Sequence, residues 1–404
     1  MQKLLKRTVF AVFLGSVFTC EFTYAQPRTF LLDGGALVQV KDCIKQGKAP
    51  YSSAYAALLQ DAEQALAAGP FSVMYKTALP ASGDKHDYYN QGTYWWPDPS
   101  KPGGLPYIRK DGEVNPETRS DKFDDHSMSS MTSAVEILAL AFFFSGDERY
   151  AGHALELLRV WFLQPETKMN PHLEYGQAIP GRVTGRGIGI IETVKFKHLI
   201  DAIGLLEGSQ GFTREDAKGL HEWFQAYLYW LRTSQHGKDE DNWHNNHGTW
   251  YDVQVAIFAL FIGQDSLASS VIEASKHRRL ETQVRPDGSQ PKELERTKSL
   301  SYSLYNLTAF FDLAKLGQHL GVDLWHYKGK DGINLKTALD FLLPFYQDKK
   351  WPYEQITPIE STYQDLAPLL KQAAKIYQQK QYREVLVRLP ANLDATRATL
   401  FYVD

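Results

Sequence analysis

The chain has 404 residues, a formal net charge of −3, 43 % hydrophobic and 23 % charged residues, and two cysteines. So small and slightly acidic a charge excludes the strongly basic profile of a nucleic-acid binder, and no run of Lys or Arg marks a basic cleft. Cys20 falls in the leader read below, which leaves Cys43 alone; with no internal disulfide, the core itself must hold the mature chain.

At the N-terminus Lys3, Lys6 and Arg7 precede an apolar run from Thr8 to Phe18, and the stretch ends in Thr23-Tyr24-Ala25-Gln26. A basic start, a short apolar middle and a small-residue exit describe a secretory signal peptide cleaved after Ala25. The run is shorter than the ~20 residues of a spanning helix, so no membrane span is expected. Val17-Phe18-Thr19-Cys20 fits a lipoprotein cleavage box poorly. Residues 1–25 are set aside, leaving 26–404 as one domain of net charge −5 (three basic residues and Glu21 removed), periplasmic or secreted.

Along the mature chain helical periodicity dominates. Tyr55, Leu58, Leu59, Ala62 and Leu66 share a face, and Gly69-Pro70 ends that segment. The spacing predicts further helices over about 127–145, 149–163, 186–206, 214–235, 247–262, 266–279, 299–320, 334–347 and 363–379. Thr213 with Asp216 reads as a capping box. Strand-like alternation is confined to a weak candidate at Glu384–Arg388. Moderate helices joined by short turns, without a fixed repeat period, predict an all-α fold, an (α/α) toroid of about six or seven helical hairpins. Two long connections interrupt it, 82–124 and 164–187. Such loops are functional or disordered, and their many aromatics argue against disorder, so they are the expected cleft walls.

Two segments carry candidate chemistry. Asp241-Asn242-Trp243-His244-Asn245-Asn246-His247 stands just before a strongly apolar helix. Asn and His at a helix entrance can simply cap free backbone donors; for Asn245 that is the minority reading, and for Asn246-His247 chemistry is favoured. His244 and His247 are three apart but have no convincing third ligand, so no metal is expected. Downstream, a Gly-containing turn delivers Arg296 shortly before a helix bearing Tyr302 and Tyr305. Each of these residues alone has an ordinary structural use; their closeness, one helical hairpin after Asn246-His247, favours a site.

Here the sequence resembles alginate lyases and related helical-toroid uronate lyases. The matching elements are Asn-Asn-His at 245–247, Asp-Gly-Ser-Gln-Pro at 287–291, Glu-Leu-Glu-Arg at 293–296 and Tyr302, with Tyr-Trp-Trp-Pro at 94–97 and Gly-Arg-Gly-Ile at 185–188 upstream. The resemblance covers roughly residues 60–320. It implies β-elimination on an acidic, uronate-containing polysaccharide without a cofactor. Asn246, His247 and Arg296 would neutralise the uronate carboxylate, and Tyr302 would serve as base and acid, helped toward its ionised form by neighbouring positive charge. In the better-known alginate-lyase pattern the Arg and Tyr lie one residue further apart, so Tyr305 stays in reserve. Tyr94, Trp95 and Trp96 would stack on sugar rings; Gln177, Arg182 and Arg186 would bind neighbouring carboxylates; His126 is a further candidate contact. The expected substrate is alginate, foremost its mannuronate blocks, with glucuronan as the alternative of the same mechanism; the sequence does not separate these polymers. A glycoside hydrolase would need two flanking carboxylates, and no such pair is evident. A carbohydrate-binding protein would not need the Asn-His and Arg-Tyr combination.

Overall fold

Apolar side chains recur every three or four residues, and the backbone follows them into helices. The computed structural model describes residues 26–390 and 397–402; the expected leader, with Cys20 and the cleavage point after Ala25, lies outside them. The helices are α1 Gly34–Lys45, α2 Tyr51–Ala65, α3 Asp125–Ser145, α4 Glu148–Leu158, α5 Phe196–Leu206, α6 Arg214–Thr233, α7 Gln235–Asp241 and α8 Asn246–Phe261. They continue with α9 Asp265–Ser275, α10 Glu281–Gln283, α11 Pro291–Leu294, α12 Ser299–Gln318, α13 Leu335–Leu342, α14 Tyr363–Tyr377 and α15 Lys380–Arg388.

These elements form two layers, as an (α/α) toroid requires. In the inner layer α3 packs on α5, α5 on α8, α8 on α12 and α12 on α14, while α2, α4, α6, α9 and α13 pack against them. The sequences explain the division. Every residue of α8 except His247 is buried, whereas α6 buries one stripe through Leu220, Trp223, Phe224, Tyr227, Leu228 and Leu231. Among the described residues one helix, α3, is long and apolar enough to cross a bilayer; here it lies in the core against α2, α4 and α5. The capping box is present: Asp216 donates its N–H to the Thr213 hydroxyl at 3.1 Å and accepts the Thr213 N–H at 2.9 Å.

Several boundaries differ from expectation for local reasons. Glu384–Arg388 is helical, because Tyr382 and Val385 lie three apart and are both buried. The helix expected over 186–206 opens as a tight 3₁₀ run, Gly187–Lys195, before α5. The segment expected over 334–347 tightens at Leu343–Tyr346, where Pro344 removes a donor. Helices α1 and α7 add to the predicted set, each opened by a capping side chain, Asp33 and Ser234.

The two long connections contain the strands. Tyr89–Gln91 (β1) pairs in parallel with Tyr175–Ala178 (β4), so the connections are bonded to each other, and Trp95–Trp96 (β2) pairs antiparallel with Ile108–Arg109 (β3). Asp124 stands at the start of α3 but makes no cap bond with its side chain. Its carboxylate instead accepts the Tyr89 N–H at 2.8 Å and meets the buried Lys76 ammonium at 3.0 Å, anchoring β1.

A second buried pair fixes the approach to α8. Arg279 donates to both carboxylate oxygens of Asp252, at 2.8 and 2.9 Å, and to the Asp241 carbonyl at 2.7 Å. Removing one partner of a buried pair strands the other. Arg279→Met should therefore cost ~3–5 kcal/mol, read as a lower denaturant midpoint, and the double change with Asp252→Leu should recover much of it. Equal losses in single and double variants would contradict this account.

Candidate functional site

The site gathers where the first turns of α8 and α12 meet the loop through β2 and β3. Asn245 caps α8 by accepting the His247 N–H at 3.2 Å. The next residue is held by a carboxylate: Glu293 of α11 accepts the Asn246 backbone N–H at 2.7 Å and its side-chain amide at 2.8 Å. Both residues are buried, and burial pushes the Glu293 carboxyl up, against the Asn246 bonds and the charges of Arg296 and His247. His247 directs Nδ1 to the fully buried Glu240 at 2.8 Å and keeps 15 % of its side chain exposed.

Buried amides join these turns. Gln283 donates to the Asn245 carbonyl at 3.1 Å and accepts from Asn306 at 2.8 Å. Asn306 also donates to Gln290 at 2.8 Å, and Gln290 donates to the Ser303 carbonyl at 2.9 Å.

Arg296 lies face-on to the Tyr302 ring, its guanidinium carbon 3.7 Å from the centroid. The guanidinium is aimed from outside by Asp111, which accepts Nε at 3.1 Å and Nη2 at 2.8 Å. Burial pushes the Asp111 carboxyl up, but the hydrogen bonds and charge of Arg296 bring it down to about 2. The turn holding Asp111 needs glycine next: Gly112 has φ +77°, and a Cβ there would stand 2.5 Å from the Thr297 hydroxyl.

The Tyr302 hydroxyl shares a 2.8 Å hydrogen bond with that of Tyr94. Burial, reinforced by Tyr94, raises the Tyr302 phenol above its ordinary range, and Arg296 only partly offsets this. The expected shift toward the ionised form is thus reversed in the free protein, because the cation lies over the ring while the hydroxyl is screened from water and bonded to another phenol. Tyr305, one turn on, packs its ring on Trp250 at 4.9 Å, and burial raises its phenol too.

Beside this cluster stands a second, cationic one. Arg186 donates to the Gln177 carbonyl at 3.1 Å and its side-chain oxygen at 2.7 Å, with Gln177 at φ 49°. The guanidiniums of Arg186 and Arg182 lie 5.7 and 5.3 Å from the Trp95 ring centroid. Burial pushes Arg186 down to about 10, still charged at neutral pH. The glycine before it is sterically required, since a Cβ on Gly185 would stand 1.8 Å from the Glu174 carbonyl.

Of the residues expected from sequence, Tyr302, Arg296, Asn246, His247 and Tyr94 form one chain of contacts through Glu293, and Gln177, Arg182, Arg186 and Trp95 form the neighbouring group. The Trp95 ring carries guanidiniums. Trp96 gives its indole N–H to the Glu113 carbonyl at 3.1 Å and lies under the Lys110 ammonium at 5.0 Å. His126 is exposed on the first turn of α3, with no bond to either group among the described residues. Sequence reasoning missed Asp111 and Glu240 as partners. Asp111 acts across 185 positions, which no local pattern announces; Glu293 lay inside the quoted Glu-Leu-Glu-Arg element.

The alginate lyase family model matches residues 72–351. The chain belongs to the alginate lyase family. It is similar to an alginate lyase from Bacteroides ovatus, with 41 % identity over 93 % of this chain and 99 % of that one and a TM-score of 0.90. Alginate lyase A1-III from Sphingomonas species A1 shares the fold, with 14 % identity over 93 % and 97 % of the two chains and a TM-score of 0.59. Among curated proteins no sequence matches it. As a member of this family the chain is a polysaccharide lyase, built on the family's helical toroid.

Asp111 gives a prediction with a defined sign. A carboxyl held near 2, below its ordinary ~3.9, adds stability that is complete above the ordinary value and lost as pH falls toward 2. Wild type and Asp111→Asn should differ in melting temperature equally from pH 7 to 5 and converge near pH 2. At neutral pH the variant should lose ~10-fold or more in kcat/KM through a loosened Arg296. A pH-independent difference would break the link to this pair.

Proposed function

We propose that the chain cleaves alginate by β-elimination, with Tyr302 as base and acid, and that its preferred substrate is the mannuronate block. The observation that carries this reading is the meeting of Tyr302 with Arg296 on its face and Tyr94 at its hydroxyl, beside the Asn246-His247 turn. Elimination removes the C5 proton of a uronate and expels the C4 oxygen. That proton is weakly acidic while the carboxylate is charged, so donors fixed in advance must take up the charge that develops. His247 offers an imidazole edge and Arg296 the guanidinium nitrogen that Asp111 leaves unused, while Asn246, its amide bound to the buried Glu293, holds the turn that carries His247.

In mannuronate the C5 proton and the C4 oxygen lie on the same side of the ring, so one phenol can take the proton and return it to the leaving oxygen. A protonated resting Tyr302 suits the acid half-step. For the base half-step its proton must first leave; the half-buried Tyr94 hydroxyl, hydrogen-bonded to it, would take that proton while giving its own to solvent water. Glucuronan, with the same relative geometry, is the alternative polymer. The cationic group of Arg182 and Arg186 beside Trp95 suits carboxylates on neighbouring units. We also propose that the protein is exported, on the strength of the leader, and that residues 26–404 act as one domain.

The test is absorbance near ~235 nm, where the new C4–C5 double bond absorbs, during incubation with polymannuronate, polyguluronate, glucuronan, hyaluronan and pectate in separate wells. A rise with polymannuronate first is expected. Tyr302→Phe should lower turnover by ~10²–10⁴-fold while leaving polymer binding largely intact, and Tyr305→Phe should keep most activity. Reducing ends without the absorbance would replace elimination by hydrolysis. Loss in Tyr305→Phe with Tyr302→Phe active would exchange the two tyrosines.

A further inference from the structure

We infer that Glu240, which touches no solvent, is a positioning residue that sets which ring nitrogen of His247 meets the substrate. This rests on the reading of His247 as part of the site. Glu240 lies in the last turn of α7, shortly before α8, and its side chain is fully buried. One carboxylate oxygen lies 2.8 Å from His247 Nδ1, where it would accept a hydrogen bond from a proton-bearing nitrogen, and the other has no partner. Nε2 then has no protein partner among the described residues and is the edge presented outward. Arg186, Tyr227 and Tyr305 stand within electrostatic reach of Glu240, and Glu293 within reach of His247, but none of them bonds the pair.

A buried carboxylate with an unsatisfied oxygen is a poor way to stabilise a turn, since an apolar group of similar size is neutral or better there. Metal-binding histidines show the general logic: a carboxylate on one ring nitrogen fixes tautomer and ring orientation at the other. Glu240 supplies that carboxylate to His247.

The test compares Glu240→Leu and Glu240→Gln with the wild type. Glu240→Leu should melt at the same temperature or higher and lose ~10–100-fold in kcat, with KM little changed. Glu240→Gln, whose amide oxygen still accepts from Nδ1, should recover most of the turnover. Nitrogen-15 NMR of the histidine rings, with the His247 signals assigned by their loss in His247→Gln, should show the proton on Nδ1 in the wild type and a mixture of tautomers in Glu240→Leu. Undiminished turnover in Glu240→Leu, or turnover lost in step with stability in both variants, would overturn the inference, as would a wild-type proton on Nε2. If no polymer is cleaved by the wild type, the lyase reading fails while the nitrogen spectra still decide the role of Glu240.

Discussion

The relation between α8 and α12 is set by polar atoms that water cannot reach. Thr249, Gln283, Gln290, Asn306 and Ser303 pass hydrogen bonds from one helix start to the other, and each would be costly to leave unmade in so dry a place. The helices cannot slide past one another without breaking several bonds together. Because α8 exposes only His247 along its length, the rest of the helix serves as ballast for that single side chain. Rigidity at this junction lets Tyr302, Arg296 and His247 keep fixed places although they reach the site on different elements.

Charge is handled in the same way. The chain is acidic overall, yet its family acts on an acidic polysaccharide, and its acids near the site are assigned to partners. Asp111 faces Arg296, Glu293 faces Asn246, and Glu240 faces His247. Each acid orients a donor and is itself masked by it. Arg182 and Arg186, close together in one connection, are brought to Trp95 of the other by the pairing of loops.

The sequence was legible where one period or one motif sufficed. Long amphipathic helices, the Thr213–Asp216 cap and the two aromatic-rich connections were all readable, as were the segments carrying Asn246, His247, Arg296 and Tyr302. Less legible was everything decided by distant partners. Tyr94 looked like a stacking platform because nothing near it in sequence shows that its hydroxyl meets Tyr302. Asp124, at the entrance of α3, makes no cap bond because the buried Lys76 and the Tyr89 N–H claim its carboxylate. The ionisation of Tyr302 was misjudged because closeness of a cation can be read from a sequence, whereas burial of the hydroxyl cannot.

The parallel pairing of β1 with β4 has a consequence for how such proteins diversify. Each strand is only a few residues long, and each completes the other's backbone bonding, so neither connection is a free module. A graft from a relative that exchanged residues 89–111 alone would leave 175–186 without its matching edge, and the reverse graft would fail likewise. Recombination that preserves folding should therefore exchange the two stretches together, so that alternative polymer preferences would be inherited as a linked pair of insertions on an unchanged ring.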